Sequence, residues 1–121
     1  IFTHPEIASV GLTPEKAKSM FPNVEVSSFP FQALGKALSL SATEGFAQIV
    51  YLKDSQKIIG AQIAGEHASS LIAEMTIAIK NELILPCIYE TIHAHPTLAE
   101  AWLESALLAD GYPLHLAPKN R

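Results

Sequence analysis

The fold is decided by residues 46–64, which read FAQIVYLKDSQKIIGAQIA. Two runs rich in β-branched and aromatic residues, 46–53 and 57–64, flank the polar triplet 54–56, and this pattern predicts an antiparallel β-hairpin. In each run, apolar side chains stand at both odd and even positions, which point to opposite faces of a strand. A strand with one face in water instead alternates apolar and polar residues. We therefore predict a hairpin that is covered on both faces.

The apolar spacing changes from a strand pattern to a helix pattern after the hairpin. Between Ala68 and Leu83 apolar residues recur three and four positions apart, which predicts a helix of about four turns. Pro86 should interrupt this helix, because proline lacks an N–H and clashes with the preceding turn. A shorter helical piece is expected over residues 87–91.

A last helix is predicted from Leu98 to about Ala109, ended by Gly111. Apolar residues occupy most of its circumference, and such a helix is normally buried. In so small a domain, a partner subunit is an expected part of that cover.

The residues before the hairpin predict a short helix and an edge strand. Thr13 suits an N-cap for a helix over 14–20, which has proline at its first position. Residues 24–31 favour a strand, but Pro30 cannot donate to a ladder, which indicates a sheet edge. Residues 32–44 are expected to be irregular, with a helical turn at most. Strands followed by helices predict an α+β fold, an antiparallel β-sheet with helices packed on it.

The composition fits a single domain and limits its partners. Of 121 residues, 49% are hydrophobic and 17% are charged, below the roughly 25% charged residues of a typical soluble domain, so other protein is expected to cover part of the surface. The net charge of −4 and the scattered basic residues argue against a nucleic-acid partner. No apolar run approaches the roughly 20 residues of a membrane-spanning helix, so no membrane partner is expected.

The one cysteine, Cys87, rules out a disulfide within the chain and predicts a reducing compartment. We expect the cytoplasm, or the mitochondrial matrix in a eukaryote. With no second cysteine nearby, Cys87 is interpreted as a buried thiol rather than a nucleophile.

The segment with chemical potential is IHAHPTLAE, residues 92–100. Thr97 and Glu100 have the spacing of a capping box, which would start the last helix at Leu98. The imidazole of His95 would then lie just ahead of a helix N-terminus. If Glu100 turned towards that ring, it could hold one nitrogen and leave the other as a base. Taken alone, this spacing is more typical of a structural cap.

Metal binding is the other hypothesis for the histidines. A His-x-His pair in extended chain points both rings to one side, so His93 and His95 could bind zinc incidentally. Cys87, His67 and Glu100 are further potential ligands, but no zinc-site spacing is present, and we predict no functional metal. No G-x-G-x-x-G follows a strand, so no dinucleotide site is expected in the chain itself.

Four stretches, in the expected order, resemble the C-terminal domain of dihydrolipoamide dehydrogenases. The stretch HAHPTLAE closely resembles that family's H-A-H-P-T-x-x-E signature. The other three are similar to its opening segment, a strand and the following helix; they are FTHPEIASVGL (2–12), IIGAQIAG (58–65) and ASSLIAE (68–74). The resemblance spans essentially the whole chain, and it identifies residues 1–121 as a single dimerisation domain, a fragment of a longer flavoenzyme.

The resemblance implies a function for the parent protein and roles for three residues. Members of the family are homodimers that carry FAD and a redox-active cysteine pair and pass electrons from dihydrolipoamide to NAD. His95 would be the acid–base that deprotonates the dithiol in the partner subunit's active site, oriented by Glu100. The His95–Pro96 backbone would lie beside the partner's flavin, with a cis peptide before Pro96.

The resemblance also implies partners and leaves alternatives open. FAD and NAD would be bound in the parent and not by this domain alone, which should be inactive by itself. Lipoyl domains of 2-oxoacid dehydrogenase complexes would be the parent's substrates. Glutathione reductase-like enzymes share the domain, although Leu98-Ala99-Glu100 favours the lipoamide branch. A non-catalytic interaction module with an unused histidine is the third interpretation.

Overall fold

The computed structural model describes residues 5–111, and they form a four-stranded antiparallel sheet with helices packed on it. This confirms the predicted α+β fold. Along the chain the elements are β1 (Ile7–Gly11), α1 (Pro14–Met20), β2 (Val24–Pro30), a 3₁₀ turn (Phe31–Ala33), α2 (Gly35–Ser39), β3 (Gly45–Leu52), β4 (Ile58–Gly65), α3 (Ala68–Lys80), α4 (Leu85–Tyr89) and α5 (Glu100–Ala109).

The predicted hairpin is the centre of the sheet, whose strand order is β1-β4-β3-β2. Its register pairs Ala47 with Ile63 and Ile49 with Ala61. β2 lies at one edge, as the proline at its end predicted, and β1 lies at the other. Thr13 caps α1 by accepting a hydrogen bond from the Lys16 amide at 3.2 Å, so this short helix is confirmed with its predicted bounds.

The main core lies on the face of the sheet that carries Ala47, Ile49 and Ile63. Helices α3 and α5 contact the sheet, and α4 packs against α5. The largest fully buried side chains here include Trp102, Phe29, Phe31, Met75 and Leu85.

The opposite face of the hairpin is only partly covered, which corrects the expectation that both faces are buried. Val50 is fully buried on this face, near which α1 contacts β2 and β4. Phe46, four residues earlier with the same parity, is 38% exposed. On this face, β3 is therefore buried near Val50 and partly exposed near Phe46.

Helix α3 ends at Lys80, so the predicted extension to Leu83 is wrong. Glu82 takes a left-handed φ of 54°, its amide bonds Ile79 O at 3.1 Å, and the Leu83 amide bonds Ala78 O at 2.9 Å. This pair of bonds is the Schellman arrangement, which closes a helix and usually carries glycine at the left-handed residue. Leu83 had the right spacing for the helix because it packs against the same core from the turn.

Pro86 lies in the first turn of α4, where the missing N–H costs nothing, so it helps to begin a helix rather than interrupting one. The predicted piece over 87–91 is thus shifted by two residues. Residues 31–44 contain the 3₁₀ turn and α2, more helix than the single turn expected. Within the described part of the chain, no helix is both long and apolar enough to cross a bilayer.

The last helix is largely buried, as predicted. Seven of its side chains are buried against the sheet and α4; they are Glu100, Ala101, Trp102, Glu104, Ser105, Ala106 and Leu108. Leu103 and Leu107 are only partly buried, and the expected cover by a partner subunit stays a prediction. Exposed apolar side chains lie elsewhere, at Leu38 (60% exposed), Ile77 (62%) and Ile92 (97%).

Candidate active site

The loop between α4 and α5 brings His95 and Glu100 together. Nδ1 of His95 lies 3.0 Å from both carboxylate oxygens of Glu100. The imidazole side chain is 68% exposed, whereas the glutamate side chain is 7% exposed. The peptide bond between His95 and Pro96 is cis, as the resemblance implied. A buried carboxylate thus holds a histidine ring at the surface.

The Glu100 carboxylate fixes the tautomer of the His95 ring. A carboxylate only accepts hydrogen bonds, so Nδ1 must donate, and the lone pair of the neutral ring is then on Nε2. The same carboxylate accepts a bond from the Thr97 amide at 2.9 Å, which fixes its own orientation. A histidine oriented by a carboxylate, with its ring at the surface, can act as a general base and stabilise the imidazolium that forms.

Only one half of the predicted capping box is made. The Thr97 amide donates to Glu100, but the Thr97 hydroxyl donates to Ala94 O at 2.7 Å and caps no helical amide. Leu98 and Ala99 form a turn, and α5 begins at Glu100, so the predicted start at Leu98 is wrong by two residues. The Thr97 hydroxyl thus makes a hydrogen bond within the loop. The Glu100 carboxylate bonds both the Thr97 amide and the His95 ring.

Helix α5 is held in place by three hydrogen bonds, and it carries Glu100. Trp102 Nε1 donates to Leu71 O in α3 at 2.8 Å. The buried Ser105 hydroxyl donates to Ala47 O, and Ser27 donates to Ser105 O, both at 2.7 Å. These bonds join α5 to α3, β2 and β3, so the position of the carboxylate is set by the core.

The Tyr89 hydroxyl contacts the Asp110 carboxylate at 3.4 Å, and this contact links α4 to the end of α5. Burial, together with the charge and hydrogen bond of Asp110, raises the pKa of Tyr89 above its usual value. The loop that carries His95 therefore begins and ends on elements that are packed together.

His93 points into the protein, and the expectation that both rings face one side is wrong. Its side chain is 6% exposed, with Nε2 2.8 Å from Glu74 Oε2 and Nδ1 2.9 Å from Thr91 O. Each histidine is held by a carboxylate from a different helix, because the segment turns and is not an extended strand. No local pattern indicated Glu74 as the partner of His93, because Glu74 is one of several polar residues along α3.

The other residues considered as metal ligands do not join this site. Cys87 is exposed, which contradicts its interpretation as a buried thiol: α4 buries its neighbours Leu85 and Ile88 instead. His67 is exposed just before α3, with a left-handed φ of 62°. Within residues 5–111, no group of three or more histidine, cysteine, aspartate or glutamate side chains is arranged to hold a metal ion.

The chain is similar over its whole length to dihydrolipoyl dehydrogenases. Those from Chlamydia pneumoniae and Chlamydia muridarum are 58% and 59% identical over 120 and 121 residues, which cover 99% and 100% of this chain and 26% of each relative. The enzyme from Bacillus subtilis is 45% identical over 116 residues, 96% of this chain and 25% of the relative. The chain thus spans about a quarter of the length of these relatives.

Solved structures of related proteins contain the same fold. LpdA from Mycobacterium tuberculosis matches 87% of this chain and 23% of its own, with a TM-score of 0.81 and 25% identity. The HOCl-induced flavoprotein disulfide reductase RclA from Escherichia coli matches 88% of this chain and 25% of its own, with a TM-score of 0.83. At 21% identity, the second likeness bears on the fold alone.

The sequence model of one family covers most of the chain. The dimerisation domain of pyridine nucleotide-disulphide oxidoreductases matches residues 1–106, which include α4, the loop that follows it and the first seven residues of α5. The chain therefore belongs to the pyridine nucleotide-disulphide oxidoreductase dimerisation domain family.

Proposed function

We propose that residues 1–121 form the C-terminal dimerisation domain of a dihydrolipoyl dehydrogenase, in which His95 is the acid–base for the dithiol substrate. The observation that carries this proposal is the contact between the exposed His95 ring and the buried Glu100 carboxylate at 3.0 Å. The names of the relatives that are 45–59% identical support the same activity.

In the proposed mechanism, Nε2 of His95 accepts a proton from one thiol of dihydrolipoamide. The thiolate then attacks a sulfur of the parent's redox-active disulfide, since the thiolate and not the thiol is the nucleophile. The disulfide opens as a mixed disulfide forms with the substrate, and one cysteine sulfur leaves as a thiolate. The second substrate thiol passes its proton to that thiolate and attacks the substrate sulfur of the mixed disulfide. The other cysteine sulfur then leaves as a thiolate, the substrate leaves as a cyclic disulfide, and the cysteine pair is reduced. Glu100 keeps Nδ1–H in place and stabilises the imidazolium while the proton is on the ring.

The residues of the loop fit a position beside a flavin that is held by another domain. His95 and Pro96 are both exposed, so they can border such a group without enclosing it. FAD, when bound in the parent, supplies the two-electron transfer from the cysteine pair to NAD.

We also propose that the parent is a homodimer that assembles through this domain. The family's dimerisation role and the exposed apolar side chains Leu38, Ile77 and Ile92 support this. In such a dimer, the loop would deliver His95 to the partner's active site. Lipoyl domains of 2-oxoacid dehydrogenase complexes would be the parent's substrates, in the cytoplasm or the mitochondrial matrix.

The test is His95→Gln in the full-length, flavin-loaded parent, measured in two assays. Dihydrolipoamide oxidation by NAD should fall by about a hundredfold or more, the order expected for a lost general base. NADH oxidation by an artificial acceptor should persist, because it does not need the dithiol to be deprotonated. His67→Gln is the matched control, since His67 is exposed and lies outside the loop. Unchanged dihydrolipoamide oxidation in His95→Gln would refute the proposed role.

A further inference from the structure

The neighbour of the proposed base is a buried histidine that also contacts a carboxylate. His93 lies two residues before His95, and its ring bonds Glu74 of α3 through Nε2 and Thr91 O through Nδ1. The His93 side chain is 6% exposed and that of Glu74 is 31% exposed. Both nitrogens of this ring are therefore engaged within the protein.

Both contacts of His93 are made to oxygen atoms of the protein: Nδ1 lies 2.9 Å from Thr91 O and Nε2 lies 2.8 Å from Glu74 Oε2. A hydrogen bond to a carboxylate is charge-assisted and stronger than a neutral one. Its loss would leave a buried polar group without a partner.

The loop is consequently fixed to the core on both sides of His95. Before it, His93 bonds α3 through Glu74; after it, the Thr97 amide bonds Glu100 in α5. Ile92, directly before His93, is 97% exposed. The loop therefore projects into solvent at Ile92, and the buried His93 ring holds the next residue against the protein. The contact of His93 with Glu74 fixes the loop from the α3 side.

We propose that Glu74 and His93 are positioning residues that determine where the His95 ring stands. This inference rests on the proposed function of His95. Misplacing a reacting group by about 1 Å can cost about a hundredfold in rate, so an anchor two residues away affects catalysis without touching the substrate.

The test uses the full-length, flavin-loaded parent with Glu74→Ala and Glu74→Gln. Glu74→Ala should lower kcat for dihydrolipoamide on the order of tenfold and leave NADH oxidation by an artificial acceptor unchanged. Glu74→Gln should restore most of kcat, because an amide N–H can donate to Nε2 of a neutral His93 ring. Lys57→Ala is the control, since it breaks an exposed ion pair with Glu82.

Three outcomes would overturn the proposal: unchanged kcat in Glu74→Ala, an equal fall of both activities, or no recovery in Glu74→Gln. If Glu74→Ala does not yield folded holoenzyme, Glu74→Asp keeps the charge and shortens its reach. A selective loss of dihydrolipoamide oxidation in that variant supports positioning, and wild-type kcat refutes it. If His95→Gln is fully active, the proposed function itself fails, which separates the two hypotheses.

Discussion

The two histidine–glutamate pairs of the α4–α5 loop have opposite patterns of burial. In the pair of His93 and Glu74, the histidine side chain is 6% exposed and the glutamate 31%. In the pair of His95 and Glu100, the histidine side chain is 68% exposed and the glutamate 7%. A single residue, Ala94, separates the histidines, and both lie within 3.0 Å of a carboxylate.

The difference shows how one kind of contact can serve two purposes. A buried imidazole whose two nitrogens both contact protein oxygens can hold a loop in place. It cannot exchange a proton with a substrate, because neither nitrogen is accessible. An exposed imidazole on a buried carboxylate keeps its ring at the surface while its orientation is fixed from below. Which partner is buried, and not the presence of the pair, distinguishes an anchor from a candidate base.

The strongest way to break this comparison is to remove the buried carboxylate. In the full-length parent, Glu100→Ala should lower kcat for dihydrolipoamide by about a hundredfold, because the wrong tautomer and a mobile ring cost much of what a general base contributes. Steady-state rates with dihydrolipoamide and with an artificial acceptor measure the effect. Glu90→Ala, an exposed glutamate at the end of α4, is the control. Equal losses in Glu100→Ala and Glu90→Ala would show that Glu100 has no special role.

Replacing His93 should lower the local stability of the loop more than replacing His95, whereas His95 is the residue expected to matter more for the reaction. His93→Ala should destabilise residues 91–97 by about 2 kcal/mol, since it leaves the Thr91 carbonyl and Glu74 without their buried partner. His95→Ala should change the same quantity by about 1 kcal/mol or less, because its own ring is exposed and Glu100 keeps the hydrogen bond from the Thr97 amide. The opening free energy of these amides, from hydrogen exchange of the full-length parent, measures both. Similar values for the two variants would contradict the assignment of anchor and base.

The elements of the fold were largely predictable because their signals are local. The hairpin, the edge strand and α1 follow from patterns within a few residues, such as Thr13 before Pro14. The errors in the bounds of the elements lie at helix ends. Glu82 occupies a left-handed position that favours glycine, and Pro86 starts a helix where a break was expected.

The site was predictable in part, for the same physical reason. Glu100 lies five residues from His95, so their contact was a reasonable hypothesis from spacing. Glu74 lies 19 residues from His93, and only the packing of α3 beside the loop brings them together. The opposite burial of the two rings depends on those long-range partners, so no local pattern could indicate it.

A smaller effect should follow from the hydrogen bond that lies between the two pairs. Thr97→Val removes the bond from the Thr97 hydroxyl to Ala94 O, which is worth about 1 kcal/mol. We expect a reduction of a few-fold in kcat for dihydrolipoamide, and Thr97→Ser should keep the wild-type value because it retains the hydroxyl. Rates of the two variants in the full-length parent measure this. A loss of equal size in Thr97→Ser, which keeps the hydroxyl, would show that the effect does not come from this hydrogen bond.

The smallest effect on the loop is expected from Glu6, which holds the other end of α3. Glu6 Oε2 accepts bonds from the Ser69 amide at 3.0 Å and the Ser69 hydroxyl at 2.8 Å, and these two bonds lower the pKa of Glu6. Because the folded pKa is lowered, this contribution to stability is present above the unfolded pKa of about 4.3 and is lost as pH falls through the folded value. Glu6→Gln should remove that acid dependence.

Hydrogen exchange in the full-length parent distinguishes a local effect from a shared one. In Glu6→Gln, faster exchange should be confined to the first turn of α3, around Ser69, and residues 91–97 should keep their protection. Glu74 lies more than one helical turn beyond Ser69, on a helix whose Ala68, Met75 and Ala78 are buried. The packing of these buried residues, and not the exposed contact between Glu6 and Ser69, should therefore hold Glu74 against His93. If Glu6→Gln also released residues 91–97, α3 would move as a unit, and the His93–Glu74 contact would report helix docking rather than a local anchor.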